Sequence, residues 1–201
     1  MIKNIIFLTT QLIILCLILS CSGKDNVTVY VAGYENNGNV DIAKIWKNGR
    51  AESLSDGTIS ARANSVYVSG TDVYVAGNLR DRIAKLWING VGKILANEKS
   101  YAHAKSVVLS GSDILVAGSE MDNDRSRRAR YWKNGKRIIL PQGSDASSIA
   151  VLGEDVYVVG YDRPSRRLPV AKMWKNGKAV YLTNGKHRAK ANSIYIIDNN
   201  L

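Results

Sequence analysis

The sequence predicts an all-β protein made of four repeated units, and three observations support this prediction. Tryptophans recur about every 42 residues, at Trp46, Trp87, Trp132 and Trp174. A run of Val and Tyr that ends in glycine, such as VYVAG, recurs with the same period. A third motif, of the type ANSVYVSG, accompanies the other two. Motifs that share one period of this length are typical of repeat architectures.

Within each unit the pattern predicts two hairpins. The segment SVYVSGTDVYVAG contains two β-forming runs joined by a turn that begins with glycine, which predicts strands A and B. The segment AKLWINGVGKIL predicts strands C and D around an Asn-Gly turn, because few residue types enter the left-handed conformations of a type I′ turn without strain. Each unit is therefore expected to be a four-stranded antiparallel sheet, in which the tryptophan packs strands C and D against a neighbouring sheet.

Four-stranded units of this length are typical of the blades of a β-propeller. The repeats span about residues 27–62, 63–103, 104–145 and 146–190 of a domain that covers 27–201. The first repeat lacks a strand A, whereas residues 191–198 have the pattern of an additional strand A. We therefore expect about four blades, closed by pairing of this C-terminal strand with the first blade. The alternatives are an open or truncated piece of a larger propeller and one half of an eight-bladed dimer.

The VYVAG and WKNG motifs resemble the "YVAG" β-propeller repeats of many bacterial secreted proteins and lipoproteins. The resemblance covers residues 27 to 198. It implies the propeller architecture, and it implies no particular activity because none is assigned to this family.

The first 20 residues have the pattern of a lipoprotein signal peptide. Lys3 precedes a long apolar run, and the sequence ILSC, which ends at Cys21, resembles the lipobox of bacterial lipoproteins. This resemblance implies cleavage before Cys21, attachment of acyl chains such as palmitate to that residue, and a short tether over residues 21–26. A short membrane anchor is the alternative. The predicted location is the bacterial cell envelope, with the lipid in the membrane and the protein on the outer-membrane, periplasmic or surface side.

The chain is strongly basic, with a formal net charge of +11, and its arginines concentrate in the segments predicted as long loops. These loops connect strands B and C or strands D and A, and they should lie at one end of the sheets. The candidate anion-binding residues are Arg80, Arg82, Arg125, Arg127, Arg128, Arg163, Arg166, Arg167 and Arg188. Guanidinium groups form paired bonds with carboxylate, sulfate or phosphate, which favours an anionic glycan or an envelope protein as partner. The alternative is that these charges are simply solvated.

The sequence gives no catalytic assignment. His103 and His187 are expected to be exposed loop residues, and the repeated Asp72, Asp113 and Asp155 are expected to hydrogen-bond within turns. The pattern of a phosphate-binding loop and that of a serine-hydrolase elbow are both missing from the sequence. No metal and no cofactor is predicted. Nucleic acid is not an expected partner, because no motif combines aromatic stacking with basic residues.

These observations favour a non-enzymatic, lipid-anchored envelope protein that serves as a binding or scaffold module through its arginine-rich loops. One alternative is a polysaccharide lyase or hydrolase on a propeller scaffold. Another is a truncated structural fragment of a larger propeller. The sequence leaves open whether the protein is a monomer or a dimer.

Overall fold

A computed structural model describes residues 27–97, 100–164 and 168–199. The predicted signal peptide at 1–20 and the tether at 21–26, including Cys21, lie outside the described residues. The described part of the chain is all-β and contains no helix, so the all-β part of the predicted fold is confirmed. Its strands form one three-stranded sheet and three four-stranded sheets, all antiparallel.

The sheets follow one another in chain order. Sheet 1 contains β1 (Tyr30–Asn36), β2 (Asp41–Lys47) and β3 (Arg50–Ser53). Sheet 2 contains β4 (Ala61–Ser69), β5 (Asp72–Leu79), β6 (Ile83–Ile88) and β7 (Val91–Ile94). Sheet 3 contains β8 (Ala102–Ser110), β9 (Asp113–Met121), β10 (Arg127–Lys133) and β11 (Lys136–Ile139). Sheet 4 contains β12 (Asp145–Leu152), β13 (Asp155–Asp162), β14 (Val170–Lys175) and β15 (Lys178–Tyr181).

The Asn-Gly pairs form the tight turns that the sequence predicts. Their asparagines have φ values of 49°, 50°, 52° and 49° at Asn48, Asn89, Asn134 and Asn176. The following glycines also have positive φ, between 77° and 83°. Two successive left-handed residues define a type I′ hairpin turn, whose twist matches that of the flanking strands.

The asparagine side chains also connect the two hairpins of one sheet. In sheet 2 the amide of Val73 donates to Asn89 Oδ1 at 2.9 Å, and Asn89 Nδ2 donates to Asp72 Oδ1 at 2.9 Å. Sheets 3 and 4 repeat this arrangement with Asp113 and Asp155. The three aspartates therefore take part in turn hydrogen bonds, as the sequence indicates.

Each of three tryptophans packs against the sheet that precedes its own sheet in the chain. Trp87 of sheet 2 lies among residues of sheet 1, Trp132 lies among residues of sheet 2, and Trp174 lies among residues of sheet 3. All three are at most 1% exposed. No described sheet precedes sheet 1, and its Trp46 is only partly buried. The predicted role of the tryptophans is thus confirmed for three of the four.

The glycine of each VYVAG motif makes room for this packing. A Cβ atom at Gly77 would overlap the carbonyl oxygen of Arg62 and would lie 2.9 Å from the Trp87 ring. The carbonyl comes close because β4, the innermost strand of the sheet, has a bulge between Ala63 and Ser65. The innermost strands β8 and β12 carry equivalent bulges.

The predicted closure of the ring is not confirmed. Residues 191–198 belong to no strand, and among the described residues no hydrogen-bond ladder joins them to β1. The segment contacts sheet 4 instead, where the amide of Ala191 donates to the carbonyl of Gly160 at 3.2 Å. In the ranges that the structure describes, the sheets therefore form an open array, and no strand pairs with β1 on its inner side.

Candidate functional site

A cleft at the long-loop end of the array brings together three of the predicted anion-binding arginines. We call it the arginine cleft, and it lies between sheets 3 and 4. Its volume is about 520 Å³, and it is lined by Ser126, Arg127, Arg128, Gln142, Gly143, Ser144, Tyr161, Asp162, Arg163 and Pro164. Residues of both sheets and of the loops beside them contribute to this lining.

The fold positions the arginines of the cleft in two ways. Arg127 and Arg128 are the first two residues of β10, and they therefore lie on a strand end rather than in the loop that the sequence predicts. Arg163 directly follows β13, and its backbone amide donates to Ser144 Oγ at 2.8 Å. This hydrogen bond fixes the start of the loop that carries Arg163.

The three arginines differ in how far their charge is already neutralised. Arg128 lies 3.5 Å from a carboxylate oxygen of Asp122 and 3.2 Å from one of Asp124. Within the described part of the chain, neither Arg127 nor Arg163 forms an ion pair with a carboxylate. Both are exposed, and they are the cations that remain available to a ligand in this cleft.

A buried lysine lies beneath the cleft. Lys172 is fully buried, and its ammonium group donates to the backbone carbonyl of Gln142 at 2.6 Å. It lies 3.7 Å from a carboxylate oxygen of Asp162 and 4.0 Å from the centre of the Tyr181 ring. Asp162 is the one carboxylate that lines the cleft, and it accepts a further hydrogen bond from Ser144. The lysine therefore offsets the negative charge of Asp162.

Two titratable rings lie next to Arg127. His103 is half-buried within β8, so the expectation that it is an exposed loop residue is wrong. Its Nε2 atom is 3.5 Å from Arg127 Nη2. Burial lowers the pKa of His103 below its ordinary value of 6.5, and the positive charges of Arg127 and Lys105 lower it further. Burial raises the pKa of Tyr161. At neutral pH the imidazole is therefore uncharged and the phenol is protonated.

The other predicted residues that the structure describes do not line the arginine cleft. Arg125 lines a second cleft of about 1,010 Å³, together with Glu120, Asp122 and Asp124. Arg82 lies over the Tyr101 ring, with 5.5 Å between the guanidinium carbon and the ring centre. Arg80 and Arg188 are exposed. Arg166 and Arg167 lie outside the described residues, directly after the segment that ends the cleft at Pro164.

Sequence reasoning missed a set of ion pairs that join strands B and C within one sheet. In sheet 3 the almost fully buried Arg130 lies 2.9 Å from a carboxylate oxygen of Glu120, which also lies 3.1 Å from Arg137. Equivalent pairs, Lys44 with Glu35 and Lys172 with Asp162, occur in sheets 1 and 4. The cation is always the second residue of the AKxW motif, and the acid lies two residues after the VYVAG glycine. Aligning the repeats for opposite charges at diagonal positions would have predicted these pairs.

No helix in residues 27–97, 100–164 and 168–199 is long and apolar enough to cross a membrane. The predicted lipid attachment site, Cys21, precedes these ranges.

Comparisons with known proteins add no family assignment. No protein-family model matches the chain, and no curated protein matches it either. The likeness to YVAG repeats therefore stays a prediction that depends on the motifs themselves.

Proposed function

We propose that this protein is a lipid-anchored module of the bacterial cell envelope that binds an anionic glycan through the arginine cleft. The observation that carries the proposal is the pair of exposed guanidinium groups, Arg127 and Arg163, that have no carboxylate partner in the described structure. Guanidinium groups of this kind bind carboxylate or sulfate through short, charge-assisted hydrogen bonds.

Other residues of the cleft support the choice of a sugar ligand. Ser126 and Ser144 supply hydroxyl groups, and Tyr161 supplies a phenolic hydroxyl, while Lys190 Nζ lies 4.3 Å from the centre of the Tyr161 ring. A glycan offers many hydroxyls and few apolar groups, so a cleft that is mainly polar suits it better than it suits an apolar metabolite. Because Asp122 and Asp124 neutralise Arg128, the strongly positive part of the cleft is the part next to Arg127 and Arg163.

The remaining parts of the proposal follow from the sequence. Acyl chains on Cys21 would hold the domain at a membrane, and residues 21–26 would serve as the tether. The array of sheets would form a propeller when residues 191–198 pair with a β1 edge, since that pairing would supply the strand that sheet 1 lacks.

A direct test compares two double variants of the full-length protein. Arg127→Ser with Arg163→Ser removes the two cations of the cleft, and Lys136→Ser with Lys178→Ser removes two exposed cations at the opposite end of the sheets. The probes are a polyuronate and a neutral glucan of similar length. A charge-assisted hydrogen bond contributes about 1.5–3 kcal/mol, so the arginine variant should bind polyuronate at least about tenfold more weakly.

The lysine variant should bind polyuronate within about twofold of the parent protein, and the glucan should not bind to either. Equal losses in the two variants would mean that general positive charge attracts the polymer, and this would contradict a specific cleft. Thermal unfolding of both variants controls for folding, because all four substituted side chains are exposed.

The neighbourhood of Arg127 favours one second candidate, a lyase that acts on the same polyuronate. Neutral His103 would take the proton from the carbon next to the carboxylate, and Arg127 would stabilise the resulting negative charge. The bond between the sugar and its leaving oxygen would break as a carbon–carbon double bond forms, and Tyr161 would protonate that oxygen. Ultraviolet absorbance of the unsaturated product, measured in the binding experiment, separates the two candidates.

A further inference from the structure

The three interfaces between the sheets repeat one contact. Trp87 packs in the same cluster as Leu54, Trp132 packs with Leu95, and Trp174 packs with Leu140. In each case the tryptophan comes from the later sheet, and the leucine is the residue directly after strand D of the earlier sheet. Every sheet thus presents a tryptophan on one side and a leucine on the other.

The two ends of the array have the same groups without their partners. Trp46 of sheet 1 is only partly buried, although the other three tryptophans are at most 1% exposed. Leu182 of sheet 4 occupies the repeat position of Leu95 and Leu140, which are buried, yet it is 49% exposed. One end of the array therefore offers the tryptophan of a further interface, and the other end offers the leucine.

The backbone edges are complementary in the same way. On β1 and the residue before it, Val29 and Val31 are 53% and 50% exposed, and in the C-terminal segment Tyr195 and Ile197 are 86% and 67% exposed. The segment ANSIYIID at 191–198 repeats the pattern ANSVYVSG of residues 63–70, most of which form the innermost strand β4. An edge of exposed β-branched residues is a template for pairing with another strand.

We infer that two copies of this chain associate head to tail, each supplying residues 191–198 as the missing innermost strand of the other copy's sheet 1. A second copy is the occupant because it presents both complementary groups at once, and because these groups lie at opposite ends of the open array in one chain. A two-fold axis makes the two junctions identical and produces a closed ring of eight sheets.

The repeat fixes the register of the new strand pair. In sheet 2, Val66 lies opposite Val75 and Ala63 lies opposite Gly77. The equivalent pairs across the junction are Ile194 with Val31 and Ala191 with Gly33. The carbonyl of Lys190 would then approach Gly33 as that of Arg62 approaches Gly77.

Cysteine crosslinking tests the inference in the full-length chain. One copy carries Val31→Cys, a co-expressed copy carries Ile194→Cys, and the parent chain with Cys16 and Cys21 sets the background. We expect a crosslinked dimer on a non-reducing gel. The matched control replaces Ile194→Cys by Ile197→Cys, which is three residues out of register and should give only background. If Val31→Cys with Ile194→Cys gave no more crosslinked dimer than the parent chain, the inference would be overturned.

A single chain that carries both Val31→Cys and Ile194→Cys distinguishes pairing within one chain from pairing between two copies. A crosslink formed within the monomer of this variant, with no dimer, would also overturn the inference.

A second measurement uses side-chain packing in place of covalent bonds. Leu182→Lys should raise the dissociation constant of the dimer at least tenfold in analytical ultracentrifugation. Leu168→Lys should leave the constant within twofold, because Leu168 is also 49% exposed but lies in a loop outside the repeated contact. Equal constants for the two variants would contradict the proposed junction.

Discussion

At the scale of single residues, the arginine cleft is defined by charges whose partners differ. Arg128 already faces two carboxylates, whereas Arg127 faces the His103 imidazole. Sequence reasoning named these arginines as candidates, but it could not predict which of them are neutralised, since the positions of Asp122 and Asp124 depend on the path of one loop. It also placed His103 in a loop, because the predicted start of the innermost strand came too late in the chain.

The pH dependence of His103 tests this local arrangement. Burial, Arg127 and Lys105 lower its pKa in the folded state, and the carboxylates of Asp145 and Asp81 oppose them only in part. The unfolded chain therefore binds more protons between about pH 6.5 and the lower pKa of the folded state, and the free energy of unfolding should fall as the pH falls through this interval. His103→Asn should remove this part of the pH dependence in urea unfolding series at several pH values.

Binding of a polyanion should shift the pKa of His103 in the opposite direction, upward. A polyuronate in the arginine cleft should raise the pKa of His103, as followed by imidazole proton shifts in NMR titrations. An unchanged pKa at saturating polyuronate would place the ligand elsewhere.

At the scale of strands and turns, sheets 2, 3 and 4 each combine a glycine in strand B, a bulge in strand A and a tryptophan in strand C. A Cβ atom at Gly118 would overlap the His103 carbonyl oxygen and lie 3.2 Å from the Trp132 ring. At Gly33 it would meet only the Trp46 ring, at 3.0 Å, because no described strand pairs with β1 on its inner side.

Alanine at these two glycines should therefore have unequal effects. We expect Gly118→Ala to lower the free energy of unfolding by about 3 kcal/mol or more, as overpacking of a core does. Gly33→Ala should cost less than about 1 kcal/mol in protein dilute enough to be monomeric. Urea unfolding monitored by circular dichroism measures both values, and equal losses would mean that the bulged carbonyl does not limit the space.

The elements were easier to predict than their connections. Alternating Val and Tyr residues and the Asn-Gly pairs are local signals, and they predicted the strands and the type I′ turns. The predicted pairing of residues 191–198 with β1 would join the two ends of the domain, so no local pattern determines whether that pairing forms, within one chain or between two. The ion pair of Arg130 with Glu120 was missed for a related reason, because it becomes visible only when the repeats are aligned with each other.

At the scale of the whole molecule, stability should be distributed over the interfaces between successive sheets, as in other repeat proteins. Each interface is centred on one tryptophan, and Trp46 alone lacks a sheet to pack against in the described structure.

Truncation of the tryptophans should show this distribution. Trp132→Ala removes a buried side chain and should cost about 3–5 kcal/mol. Trp46→Ala should cost less than half as much in monomeric protein. Thermal and urea unfolding of the two variants, compared at one protein concentration below the dimer dissociation constant, gives both values. A larger loss for Trp46→Ala would show that sheet 1 is covered in the monomer.

The directional contact between tryptophan and leucine also bears on how such a chain could evolve. A duplicated unit of about 42 residues, inserted between any two sheets, would find a leucine before it and a tryptophan after it. Gene duplication could therefore lengthen or shorten the array without compensating substitutions, and both ends would keep the surfaces they have now. In the proposed ring, the number of repeats would be set by the size of the ring that closes, and each loop of a new unit would be free to diverge in sequence.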